Sequence, residues 1–126
     1  MTAIFANLKE LFTPQESVRK VNFDDAGFTI LGGRESVRGS WSSVIEVFAY
    51  KDDRFTIDDI CIGFRFDAAG AFWWISEDYV GYRAVLEELP QRFSGIRTDW
   101  FLEVAHPAFA ANRTTLWGET WHALKK

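Results

Sequence analysis

The sequence predicts an α+β domain: a six-stranded antiparallel meander with an N-terminal helix and C-terminal helices packed on it. Three observations predict this. Apolar residues recur at helical spacing near the start, alternate with polar ones from Ser17 to Ser76, and return to helical spacing from Tyr79. Tight-turn sequences, not helix-length segments, cut the alternating stretch. No linker rich in Gly, Ser and Pro and no internal repeat divides the chain, so 1–126 reads as one domain.

The elements follow in order. Ile4, Phe5, Leu8, Leu11 and Phe12 form one stripe, which predicts a short amphipathic helix from Thr2 to Phe12. Pro14 stops it, because the residue before proline is pushed out of the α region. Val21 and Phe23 alternate with polar neighbours. Asp24-Asp25-Ala26-Gly27 is a turn with Gly27 free to take positive φ. Phe28 and Ile30 alternate next, Gly32-Gly33 marks a hairpin, and a polar strand runs from Glu35 to Ser40. Val44 to Tyr50 is apolar on both faces except at Glu46, which suggests a strand covered on both sides. After the charged turn Lys51–Arg54, the segment Ile57–Phe66 is the cleanest strand. Ile60, Ile62, Phe64 and Phe66 share one face, and Asp59, Cys61, Gly63 and Arg65 the other. Asp67–Gly70 turns the chain into Phe72-Trp73-Trp74-Ile75, the sixth strand.

Helical spacing then returns. Tyr79, Tyr82, Val85, Leu86, Leu89 and Phe93 make one stripe, with Ser76 or Asp78 as cap and Pro90 near the end. A second short helix starts after Thr98, carries Trp100, Phe101 and Val104, and stops near His106-Pro107. In the tail, Leu116, Trp117, Trp121 and Leu124 suit a last turn or two of docked helix.

Composition narrows the function classes. Fourteen basic residues against eighteen acidic ones give a net charge of −4, which disfavours nucleic acid and anionic membrane surfaces. The lone cysteine, Cys61, excludes an internal disulfide and a cysteine-based metal site and suits a reducing, cytoplasmic setting. Met1–Phe5 does not read as a secretory signal, and no apolar run reaches the eighteen or so residues of a membrane helix. Aromatic residues reach 17% of the chain; a Phe-rich core is the first account of them, and any surface beyond what that core hides hints at a binding face.

The order of elements carries a resemblance. A polar strand closing at Trp41, a strand of the form Trp-x-x-Val-Ile-x-Val, a Lys-x-Asp turn, a second long strand, an aromatic strand and an amphipathic helix resemble the pleckstrin-homology-like domains of small bacterial proteins. The string Val44-Ile45-Glu46-Val47-Phe48-Ala49-Tyr50-Lys51-x-Asp53, with Asp59-Ile60-Cys61, Ser76-Glu77-Asp78, Gly81, Pro107-Ala108-Phe109, Asn112 and Thr115-Leu116-Trp117, is similar to a set of uncharacterised bacterial proteins. The pleckstrin-homology-like resemblance covers Ser17 to Phe93. It implies a bent antiparallel sheet or barrel plugged by a helix, and no activity. The first hairpin loop here is acidic where phosphoinositide-binding members are basic, so that ligand is not expected.

No group of residues carries a catalytic pattern. His106 has Asp99 and Glu103 nearby in sequence, which defines one enzyme reading, but a helix C-terminal cap is the favoured account of it. Cys61 lies mid-strand without a base or a glycine elbow. The acidic pairs Asp24-Asp25, Asp52-Asp53, Asp58-Asp59 and Glu77-Asp78 fit turns and a cap better than a cation loop. No metal and no cofactor is expected. The aromatic set Trp73, Trp74, Tyr79, Tyr82, Trp100 and Trp117 is the candidate binding surface. Trp73 and Trp74 are adjacent in a strand, so they point to opposite faces. The leading expectation is a non-catalytic protein-binding module, with a toxin-neutralising immunity protein as one variant. The alternatives are a small enzyme or ligand-binding protein using Asp99, Glu103 and His106, and a protein that self-associates, a homodimer for instance, through a strand edge or the aromatic tail.

Overall fold

The computed structural model describes residues 18–32, 35–53, 58–106 and 113–122. The expected helix over Thr2–Phe12, the stop at Pro14 and the segment Pro107–Asn112 lie outside the described residues, as do Gly33, Arg54, Ile57 and Leu124.

The described chain is α+β, with seven strands in two antiparallel sheets. The first sheet has the order β1 (Arg19–Phe23), β2 (Gly27–Gly32), β3 (Glu35–Ser40). Its first turn is held by Asp24, whose Oδ1 accepts from the amides of Ala26 and Gly27. Gly27 is not at positive φ. It opens β2, where a Cβ would strike the carbonyl oxygen of Gly39 on β3. A 3-10 turn, Trp41–Ser43, leads to the second sheet, whose order is β6 (Phe72–Ser76), β5 (Asp58–Arg65), β4 (Glu46–Asp53), β7 (Thr114–Gly118).

The six-stranded meander is therefore corrected. The strands split three and four, neither sheet closes into a barrel, and the seventh strand comes from the tail expected to be helical. Thr114-Thr115-Leu116-Trp117 has β-branched and aromatic side chains that suit a strand, and β4 supplies an edge for it. Leu116 and Trp117 also fit a helical stripe, and local spacing says nothing of an edge many residues upstream. Gly118, at φ +88, ends the strand where a Cβ would strike the carbonyl of Ile45.

The core lies between the sheets. Phe28 of β2 sits 4.6 Å from Phe64 of β5 and 5.0 Å from Trp41. Val21, Ile30, Val47, Ala49, Ile60, Ile62 and Ile75 complete it. Helix α1 (Tyr82–Arg92) closes the core with Tyr82, Val85 and Leu89. Phe93 follows, its ring 5.8 Å from Trp41 and 4.7 Å from Trp117. The stripe from Tyr79 to Phe93 thus seals the sheets as its spacing requires. The cap differs: Gly81, at φ +95, occupies the N-cap position, while Ser76 and Asp78 bond each other in the preceding turn. Helix α2 (Phe101–Ala105) is short and buries Val104. No helix among the described residues is long and apolar enough to cross a membrane.

Candidate functional site

The central strands of the second sheet, β4 and β5, are largely buried on both faces, and the far face is partly ionic. Glu46 has no exposure, and Arg65, directly across on β5, has 4%. Arg65 Nε donates to Glu46 Oε1 at 2.8 Å, and its other nitrogens donate to the carbonyls of Asp67 and Glu119. Arg113 and Thr115, from the β7 region, complete the carboxylate's shell. The Arg113 guanidinium lies 3.7 Å from the centre of the Phe48 ring. Every oxygen of Glu46 is matched by donors, and none points at open space. This cluster fastens β7 to the sheet.

The open site lies on the other side of the fold. A recess of about 690 Å³ is walled by α1, by the segment leading into it and by α2. Tyr79, Tyr82, Leu86, Ile96 and Trp100 form its apolar lining, and Leu116 of β7 contributes to it. Three features set its shape. Gly81 lets the chain pass tightly beside β1, where Val21 N donates to Val80 O and Val80 N to Arg19 O. A Cβ on Gly81 would meet the carbonyl of Val21. Lys51, almost fully buried, donates from Nζ to the carbonyl of Ala105 at 2.8 Å and so anchors the end of α2 with a cation. Arg97 N donates to Leu116 O, tying the connecting segment to β7.

Apolar side chains continue out of the recess. Phe101, which lines it, is 51% exposed, and its neighbour Leu102 is 69% exposed. Val80, between the lining residues Tyr79 and Gly81, is exposed as well. Charge sits at the mouth: Arg83, Glu77 and Arg97 all line it. Glu77 Oε1 accepts from Ile60 N at 2.9 Å. Arg97 donates to Glu103 at 2.6 Å and pairs with Asp99 at 3.4 Å. The hydrogen bond to Glu103 raises the pKa of Arg97 most, with Asp99 adding to it. Burial pushes the Tyr82 phenol well above its ordinary range, and the negative field of Glu77, Cys61 and Asp59 adds to that. The phenol stays protonated at neutral pH and offers a donor and an aromatic face, not a base.

The six aromatic residues expected to bind divide by place. Tyr79, Tyr82 and Trp100 converge on the recess. Trp73 and Trp74 lie on β6 and line a smaller hollow of about 200 Å³ with Ile30, Val37 and Tyr79. Trp73 packs on Phe66 at 4.9 Å, and Trp74 on Tyr79 at 5.9 Å. Trp117 packs tilted on Phe93, partly buried against the core. Sequence reasoning placed Phe101 on α2 without singling it out, and it missed Ile96 and Arg83. Leu86 carried a signal in its place on the helical stripe. For Arg83 and Ile96 no sequence signal exists.

Asp99 and Glu103 both converge on Arg97. His106 is exposed just beyond α2, and its amide closes the helix on Leu102 O. Cys61 is buried on β5. No group of three or more His, Cys, Asp or Glu side chains with metal-binding proximity occurs among the described residues. Compared with protein-family models, with curated proteins and with solved structures, the chain matches none.

Proposed function

We propose that this chain is a non-catalytic protein-binding module that docks its partner in the groove between α1 and α2. One observation carries the reading: a recess walled by Tyr79, Tyr82 and Trp100 opens beside the exposed side chains of Phe101 and Leu102. Rigid aromatic walls supply contact area with few rotors to freeze, which favours a binding hot spot. The partner presents apolar side chains to the recess and an acidic group to Arg83, which makes no ion pair among the described residues. A toxin-neutralising role is one form of this reading, suited to a small domain of net charge −4.

The pleckstrin-homology-like kinship stays part of the proposal. Antiparallel sheets sealed by a helix suit it, whereas a strand following the helices does not. An enzyme built on Asp99, Glu103 and His106 has less support, because both carboxylates are directed to Arg97.

Paired baits test the proposal. Wild-type protein and Phe101→Ser are immobilised and exposed to lysate of the source organism, and retained proteins are quantified. Phe101 is half exposed, so its loss spares the core. The proposal expects a protein held by the wild type and released by Phe101→Ser. Identical retention on both baits, or none on either, counts against it.

A further inference from the structure

The two sheets present four lateral edges, and three of them are blunted. The β1 edge is covered by Val80, which exchanges backbone hydrogen bonds with Arg19 and Val21. The β3 edge carries Glu35 and Arg38 on exposed positions. The β7 edge receives Arg97 N at Leu116 O and is flanked by Arg113 and Glu119. Charges and covering segments of this kind are what keep a strand edge from pairing with another chain. Among the described residues no segment covers the β6 edge, and its flanking charges, Glu77 and Asp78, lie beyond its last residue. Its own sequence, Phe-Trp-Trp-Ile-Ser, has no charge and no proline, β5 is its one ladder partner among the described residues, and Phe72 and Trp73 are exposed at 40% and 36%.

The outward-facing groups follow from the ladder. Phe66 N bonds Ala71 O and Glu77 N bonds Ile60 O, which fixes the hydrogen-bonded pairs of this antiparallel register. By alternation, Trp73 and Ile75 bond to β5, while the amides of Phe72, Trp74 and Ser76 point away from it.

We infer that β6 pairs antiparallel with β6 of a second copy of this chain, about a two-fold axis at Trp74. A two-fold places each residue opposite its symmetry partner. Trp74 then faces Trp74 of the second copy, Trp73 faces Ile75, and Phe72 faces Ser76. The register is self-complementary in charge. Glu77 and Asp78 flank the strand, and the two-fold sets them opposite Ala71 and Gly70, not opposite each other. Aromatic cross-strand pairs add to the backbone bonds. The hollow beside the edge, lined by Ile30, Val37, Trp73 and Trp74 together with Arg19 and Glu35, widens the contact surface. The strand pairing lies outside the α1–α2 groove, although the hollow shares Tyr79 with that groove, and it does not rest on the groove being a docking site.

Sedimentation equilibrium over a wide concentration range tests the interface, together with residue-resolved amide exchange. The expected result is a monomer–dimer equilibrium whose dissociation constant rises by about tenfold or more in Trp73→Lys and in Phe72→Lys, through the added edge charge. In the wild type, the amides of Phe72, Trp74 and Ser76 gain protection with concentration, while those of Trp73 and Ile75 are protected throughout. The exchange measurement needs no variant, so misfolding of a substituted chain does not decide the outcome. A monomer at every concentration overturns the inference. So does a dimer in which the amides of Phe72 and Trp74 exchange as freely as in the monomer.

Discussion

Glu46 and Arg65 face each other across β4 and β5 with Oε1 and Nε 2.8 Å apart, and both are almost wholly shut off from solvent. Neither charge tolerates that position alone, because moving an ion out of water costs several kcal/mol. Together with Arg113 and Thr115 they form a closed hydrogen-bonded set. The pair is not evidence of a large net gain, since desolvation offsets much of the attraction. Its consequence is that removing one partner strands the other.

Glu46→Gln is therefore expected to lower the unfolding free energy by about 3–5 kcal/mol, leaving the Arg65 guanidinium buried without its counter-charge. Arg65→Met should do the same from the other side. Urea denaturation of each single variant and of the double variant checks this. The double loss should be smaller than the sum of the singles, as for any pair in direct contact.

The same carboxylate sets an acid limit. Burial pushes the Glu46 pKa upward, but hydrogen bonds from Arg113, Thr115 and Arg65 outweigh burial and hold it below its ordinary 4.5. A carboxyl depressed in the folded state binds fewer protons folded than unfolded. Its contribution is full above pH 4.5 and is lost as pH falls from there through the folded value. Asp24 shifts in the same direction, mainly through its hydrogen bond to Arg38, so the wild type and Glu46→Gln share that part. Urea midpoints at a series of acid pH values should fall more steeply for the wild type than for Glu46→Gln. Parallel profiles would remove Glu46 from the account.

Gly63 is required by its neighbour across the strand. The Phe48 ring lies directly over it, and a Cβ there would press into the ring's far carbons. Phe48 is itself enclosed by Arg113, Phe72 and Tyr50 and cannot swing aside cheaply. Gly63→Ala is expected to destabilise by about 1–3 kcal/mol through overpacking. Phe48→Leu in the same chain should recover part of that loss. Thermal melts of the three variants report it.

The legible part of the fold was the part encoded by local period. Ile60, Ile62 and Phe64 alternate into the core, and Val85, Leu89 and Phe93 recur on one face of α1, because strand and helix geometry impose those spacings. The β7 strand was not legible, since its pairing with β4 spans more than sixty residues and a short Thr-Thr-Leu-Trp run suits either period. Glu46 read as an interruption in an apolar strand for the same reason: two of its partners, Arg113 and Thr115, arrive with β7. Within the candidate site, the aromatic residue types pointed to Tyr79, Tyr82 and Trp100. Only the tertiary fold separates them from Trp117, which packs on Phe93 against the core. Exposure of Phe101 depends on α2 ending after five residues and presenting just Val104 inward, and no sequence pattern states that.

The groove between α1 and α2 is the central claim, and titration calorimetry tests it most directly. The protein retained by the wild-type bait is titrated into wild type, Phe101→Ser and Arg38→Ala, the last lying on β3 away from the groove. The account predicts that Phe101→Ser weakens binding by about tenfold or more, roughly 1.4 kcal/mol, while Arg38→Ala binds as the wild type does. Equal affinity of the wild type and Phe101→Ser would contradict it.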